Sequence, residues 1–120
     1  MRRIIRYFLF LYTVGIFSLS LLSSSEVNKL PFSSLWDKVS HTIEYALWGI
    51  FASIFLSVKR SDENTIYVVI LSAVIGVIDE TIQTTSFGRT ASFWDFCVDV
   101  FGAFIGTVIF YLISKSFSKN

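Results

Sequence analysis

Four long stretches of this chain are nearly free of charge, and that feature limits its fold more than any other. Tyr7 to Ser25 has no acidic or basic side chain and begins just after Arg2, Arg3 and Arg6. Ala46 to Val58 is uncharged and reaches spanning length once Ser40 to Tyr45 is included; Thr65 to Ile78 is uncharged and extends through Asp79 and Glu80 to about Gln83. From Ser92 or Phe93 to Ser114, only Asp95 and Asp99 interrupt an apolar run. A helix crossing the hydrocarbon core needs roughly 20 mostly apolar residues. The spacing therefore predicts an all-α, polytopic membrane helix bundle, with four transmembrane helices at about 4–23, 39–58, 65–83 and 92–114 in a single domain over 1–120.

Composition agrees. Charged residues make up 16% of the chain, against about 25% in a typical soluble domain, which argues against a water-soluble globule; the 53% hydrophobic content excludes disorder. A single cysteine, Cys97, excludes a disulfide framework and any zinc site built on several cysteines; within a membrane helix it reads as an inert thiol. Pro31 marks the approach to the second helix. The basic start, the apolar run and Ser23, Ser24 and Ser25 also describe a secretory signal, but the run exceeds the usual ~7–15-residue signal core, so the expectation is a retained helix.

Basic flanks are retained in the cytoplasm. Arg2, Arg3, Arg6, Lys59, Arg60, Lys115 and Lys119 fall on one side of the expected topology, and only Lys29, Lys38 and Arg89 on the other. Both termini are therefore expected in the cytoplasm. Seven of the nine acids lie toward the outer face, giving a formal −4 outside and +5 inside. Any chemistry is expected at the outer membrane–water boundary.

Charged side chains are costly inside a bilayer and face the bundle interior or water. On the second helix Asp37, His41, Glu44, Tyr45 and Trp48 share one face. The third presents Ser72, Gly76, Glu80 and Gln83, with Asp79 beside that stripe, and the fourth presents Ser92, Asp95, Asp99, Gly102 and Gly106. Gly102 and Gly106 allow a neighbouring backbone to approach; packed against the third helix, they would bring Glu80, Asp95 and Asp99 toward a shared pocket. In the turn between the third and fourth helices, Arg89 either lies at the lipid headgroups or folds back onto an acid or a substrate phosphate, and Ser92 caps the fourth helix. His41 suits a general base or a metal ligand. One imidazole with several carboxylates could hold a divalent metal, with His41, Glu80 and Asp95 as candidate ligands; a proton shared between carboxylates would satisfy the same residues.

These residues carry a resemblance. Asp37-Lys38-Val39-Ser40-His41 with Tyr45, then Gly76-Val77-Ile78-Asp79-Glu80-Thr81-Ile82-Gln83, then Phe87-Gly88-Arg89-Thr90-Ala91-Ser92-Phe93-Trp94-Asp95 continuing to Asp99, Gly102 and Gly106, resemble the VanZ-like family of small bacterial membrane proteins. That family is named for a component associated with teicoplanin resistance. The chain departs from the family pattern at Asp99, where asparagine is expected, and near Phe87, where a proline is expected. The resemblance implies a multi-pass protein of the bacterial cell membrane, in some members linked to lipoglycopeptide tolerance, with Asp37, His41, Glu80, Gln83, Arg89, Ser92 and Asp95 as motif positions. It implies no established reaction.

The functional expectation is an outward-facing polar pocket that binds or modifies an envelope molecule, either a lipid headgroup or a lipid-linked cell-wall precursor. For an enzyme, His41 would be general base or ligand, Glu80 and Asp95 acid–base partners or ligands, and Arg89 an oxyanion clamp, with Asp37, Gln83, Ser92 and Asp99 supporting binding. The alternative is a buried structural network in a protein that acts through a partner or through altered antibiotic access. Partners are then membrane lipids and, open at this stage, further copies of the chain. Nucleic acid is not expected, since the basic residues are few and dispersed. Transport has little support without broken helices or an inverted repeat.

Overall fold

The computed structural model describes residues 2–21, 33–56, 62–86 and 90–117. These form four helices: α1 (Arg2–Ser20), α2 (Ser33–Leu56), α3 (Asp62–Thr84) and α4 (Phe93–Phe117). Each is long and apolar enough to cross a membrane. Helices are what lipid demands, because a hydrocarbon environment offers no water to satisfy backbone groups. Helix α2 begins at Ser33, ahead of the start near residue 39 expected from hydropathy; backbone bonding continues through the polar turn that precedes the apolar part. Helix α4 begins as expected for a capped helix: Ser92 Oγ accepts the Asp95 N–H at 3.3 Å, and Asp95 lies in the first turn, where a carboxylate suits the helix dipole.

The bundle is polar inside and apolar outside. Ser53, Ser72, Asp79 and Asp99 are fully buried, whereas Phe10, Tyr67, Phe101 and Leu112 are more than half exposed. Water would reverse that pattern; lipid favours it. The chain is a multi-pass membrane protein.

Helices α2 and α4 make the tightest contact. A Cβ at Gly49 would collide with the Ala103 carbonyl oxygen, one at Gly106 with that of Ala46, and one at Gly102 would lie 2.7 Å from that of Thr42. This corrects the expected packing: the glycines of α4 admit α2, not α3. It is Gly76 on α3 that faces α4, where an added Cβ would lie 3.2 Å from Phe96 and 3.6 Å from Asp99. Helix α1 packs on α2 through two bonds, Trp48 Nε1–H to Thr13 Oγ1 at 3.0 Å and Tyr12 O–H to the Glu44 carbonyl at 3.1 Å. At the opposite end from the acids, Arg6 stacks over Phe55 at 5.7 Å. The helices therefore alternate up and down, which puts the end of α1, the start of α2, the end of α3 and the start of α4 together.

Candidate functional site

The buried ionisable side chains His41, Asp79, Glu80, Asp95 and Asp99 gather at that shared end. At 1.5 Å of rise per residue, His41, Asp79 and Asp99 lie roughly 8–12 Å inside the ends of their helices.

In the centre, His41 Nδ1 stands 2.8 Å from Asp99 Oδ1, and His41 Nε2 faces the Gln83 amide nitrogen at 3.4 Å. Toward α1, Ser20 Oγ donates to Asp79 Oδ1, and Ser86 Oγ donates to the Ser20 carbonyl at 3.1 Å. Toward the bundle end, Glu80 Oε2 accepts the Ser92 N–H at 2.7 Å, while Lys38 Nζ meets Asp95 Oδ1 at 3.0 Å. Tyr45, fully buried, lies among Asp79, Glu80 and Asp99. Two carboxylate oxygens, Glu80 Oε1 and Asp99 Oδ2, are buried without a hydrogen-bond partner among the described residues. Buried acids at such depth must be paired, protonated or neutralised by a cation.

The structure thus divides the sequence-derived set. His41, Gln83 and Asp99 form the centre. Glu80 and Asp95 are engaged at the start of α4, with Ser92 as the cap between them, so His41, Glu80 and Asp95 do not converge as one set of ligand atoms. Asp37 lies one turn before His41 and is partly buried. Arg89, Gly88 and Phe87 lie outside the described residues. Spacing alone sets Asp79 beside the polar stripe of the third helix, yet it is fully buried in the centre. Its signal was present in the spacing: Ser72, Gly76, Asp79, Gln83 and Ser86 step by four, three, four and three, the seam of a packed helix.

Between α3 and α4 an open cleft of about 290 Å³ is lined chiefly by Glu80, Thr81 and Thr84 on one side and Ser92, Phe93 and Phe96 on the other. Of the residues expected to be catalytic, Glu80 lines this cleft, whereas His41 stands behind it against Asp99. The His41–Asp99 pair has the form of a base oriented by a carboxylate.

Residues 4–114 match the family model described as VanZ/LLP1. The chain belongs to the VanZ/LLP1 family. The match takes in α1, so the VanZ/LLP1 unit includes the helix whose Ser20 holds Asp79, beyond the Asp37-to-Gly106 stretch on which the sequence resemblance rested. No curated protein and no solved structure matches this VanZ/LLP1 chain.

Proposed function

We propose that this VanZ-type protein of the bacterial cell membrane, with both termini cytoplasmic, binds a headgroup-bearing envelope molecule in the α3–α4 cleft at the outer boundary. The molecule is a lipid or a lipid-linked cell-wall precursor. One observation carries the reading: a small-molecule-sized cleft between lipid-facing helices ends on Glu80, whose Oε1 is buried and has no partner among the described residues. An unmet buried acceptor costs about 1–3 kcal/mol, and an ammonium or hydroxyl donor from a headgroup would satisfy it. Phe93 and Phe96 suit an acyl stem or the flank of a cation, and Thr81 and Thr84 supply hydroxyls. The excess of basic residues in the expected cytoplasmic segments supports an outward-facing cleft, and Arg89, between α3 and α4 in the sequence, is of a type that suits the phosphate of the same headgroup. Binding is favoured over catalysis because His41 does not line the cleft. Through such binding the protein would contribute to glycopeptide or lipoglycopeptide resistance.

A second reading has its own support. The Ser20–Asp79, Lys38–Asp95 and Glu80–Ser92 contacts each tie two chain segments, as a structural network would. Glu80→Gln and the cleft-filling Thr81→Phe separate the two. If the cleft binds, both variants keep wild-type abundance, lose lipid retained in native mass spectra, and lose protection against teicoplanin. Wild-type lipid retention in both would remove the cleft from consideration, and loss of abundance in parallel with function would favour the network.

A further inference from the structure

Behind the cleft, three helices each deliver one buried group to a common point: His41 from α2, Asp79 from α3 and Asp99 from α4. One ligand atom from each lies within 4.8 Å of the others, and the three residues are 6%, 0% and 0% exposed. Asp99 supplies the second observation. Its Oδ1 is on His41, but its Oδ2, wholly buried, has no hydrogen-bond partner among the described residues. That oxygen is turned to α3, 3.6 Å from where a Cβ on Gly76 would stand. Asp79 follows Gly76 by three residues on the same face of α3, so the unmet oxygen looks onto the face that carries the second carboxylate.

We propose that His41, Asp79 and Asp99 bind a divalent first-row transition-metal ion, zinc being the best match. This is a different site from the headgroup cleft and does not depend on it. Two carboxylates and a neutral imidazole around a divalent cation sum to zero charge, which removes the cost of two adjacent buried carboxylates. Lys38, the base nearest in sequence to His41, is committed to Asp95 at 3.0 Å. An imidazole among the ligands favours zinc and its neighbours over magnesium or calcium, which prefer oxygen and water. The surroundings suit ligand duty. Ser20 Oγ donates to Asp79, orienting that carboxylate, and Gln83 lies at His41 Nε2. With its amide oxygen toward the ring, Gln83 would accept Nε2–H and leave Nδ1, on the Asp99 side, as the ligating nitrogen, as outer partners of metal-bound histidines do. Three protein ligands leave a fourth tetrahedral position for water or another donor.

The test uses the full chain purified in detergent without chelators. Elemental analysis should find about one zinc-class ion per chain, or the stripped protein should take up about one Zn²⁺ and melt several degrees higher. Asp99→Asn and His41→Gln should weaken Zn²⁺ binding by at least about tenfold. Glu80→Gln and Asp95→Asn should retain it, since neither residue belongs to the triad. If the triad variants fail to fold, X-ray absorption at the zinc edge of the wild type decides: one imidazole with oxygen donors supports the site, and a shell without imidazole overturns it. A folded wild type that neither carries metal nor shifts its melting with Zn²⁺ also overturns it, leaving a shared proton as the neutralising agent. Headgroup binding can survive that failure, because Glu80→Gln and Thr81→Phe read it independently.

Discussion

The contact between α2 and α4 sets the His41–Asp99 pair, and Gly106→Ala tests it. A methyl group at Gly106 collides with the Ala46 carbonyl oxygen, and one at Gly102, about one turn earlier, would lie 2.7 Å from the Thr42 carbonyl oxygen. Carbon–oxygen contacts settle at about 3.3–3.6 Å, so relief requires the helices to part by on the order of 1 Å. The obstruction is backbone, which has no alternative rotamer, so the cost belongs at or above the upper end of the usual ~1–3 kcal/mol for overpacking. Alanine in place of glycine within a helix returns about 1 kcal/mol. The expected net loss is at least about 2 kcal/mol. Gly15 provides the control, since nothing lies within 4 Å of its added Cβ; Gly15→Ala collects only the propensity gain, at most about 1 kcal/mol. Reversible unfolding of the purified chain in mixed micelles, followed by tryptophan fluorescence and circular dichroism, measures both. Equal stability of the two variants, or a Gly106→Ala protein above wild type, would refute the close crossing and with it the geometry that places Asp99 on His41.

The Lys38–Asp95 and His41–Asp99 contacts should differ sharply. The side chain of Lys38 is 40% exposed, so Lys38→Ala should cost no more than about 1 kcal/mol, whereas Asp99→Ala strips a fully buried partner from His41 and should cost about 3–5 kcal/mol; similar losses in the same unfolding assay would contradict this ranking. For topology, Leu21→Cys and Thr90→Cys in a Cys97→Ser background should both react with an impermeant maleimide on intact cells, and Phe117→Cys only after permeabilisation. Labelling of Leu21→Cys and Thr90→Cys from opposite sides contradicts the alternating bundle, and uniform reversal contradicts the cytoplasmic termini.

Much of the site could be read in the sequence because a membrane makes polar residues conspicuous. His41, Glu80, Gln83, Asp95 and Asp99 stood out against apolar surroundings, and helical spacing put them on inward faces, where all are buried. The division of labour among them was not legible. Asp79 and Glu80 are adjacent, so about 100° of helix rotation separates them. Which one lies beside His41 and which one accepts the Ser92 N–H ahead of α4 depends on where α2 and α4 stand, and nothing local to α3 encodes that. Ser20 was equally hidden, since a serine near the end of an apolar helix has no marked partner until α1 is docked beside Asp79.

The number of spans, their alternation and the end at which the acids collect can all be read along the chain. These follow from local quantities, namely run length, charge placement and the demand that backbone hydrogen bonds close within each helix. Helix packing alone makes the glycines of α4 admit α2, opens α3 to Asp99 at Gly76, and brings His41, Asp79 and Asp99 together while Glu80 turns to the cleft. The reason is physical: the azimuth of a lipid-facing helix is set by the shape of its neighbours, because lipid offers its apolar side chains nearly the same environment in every direction.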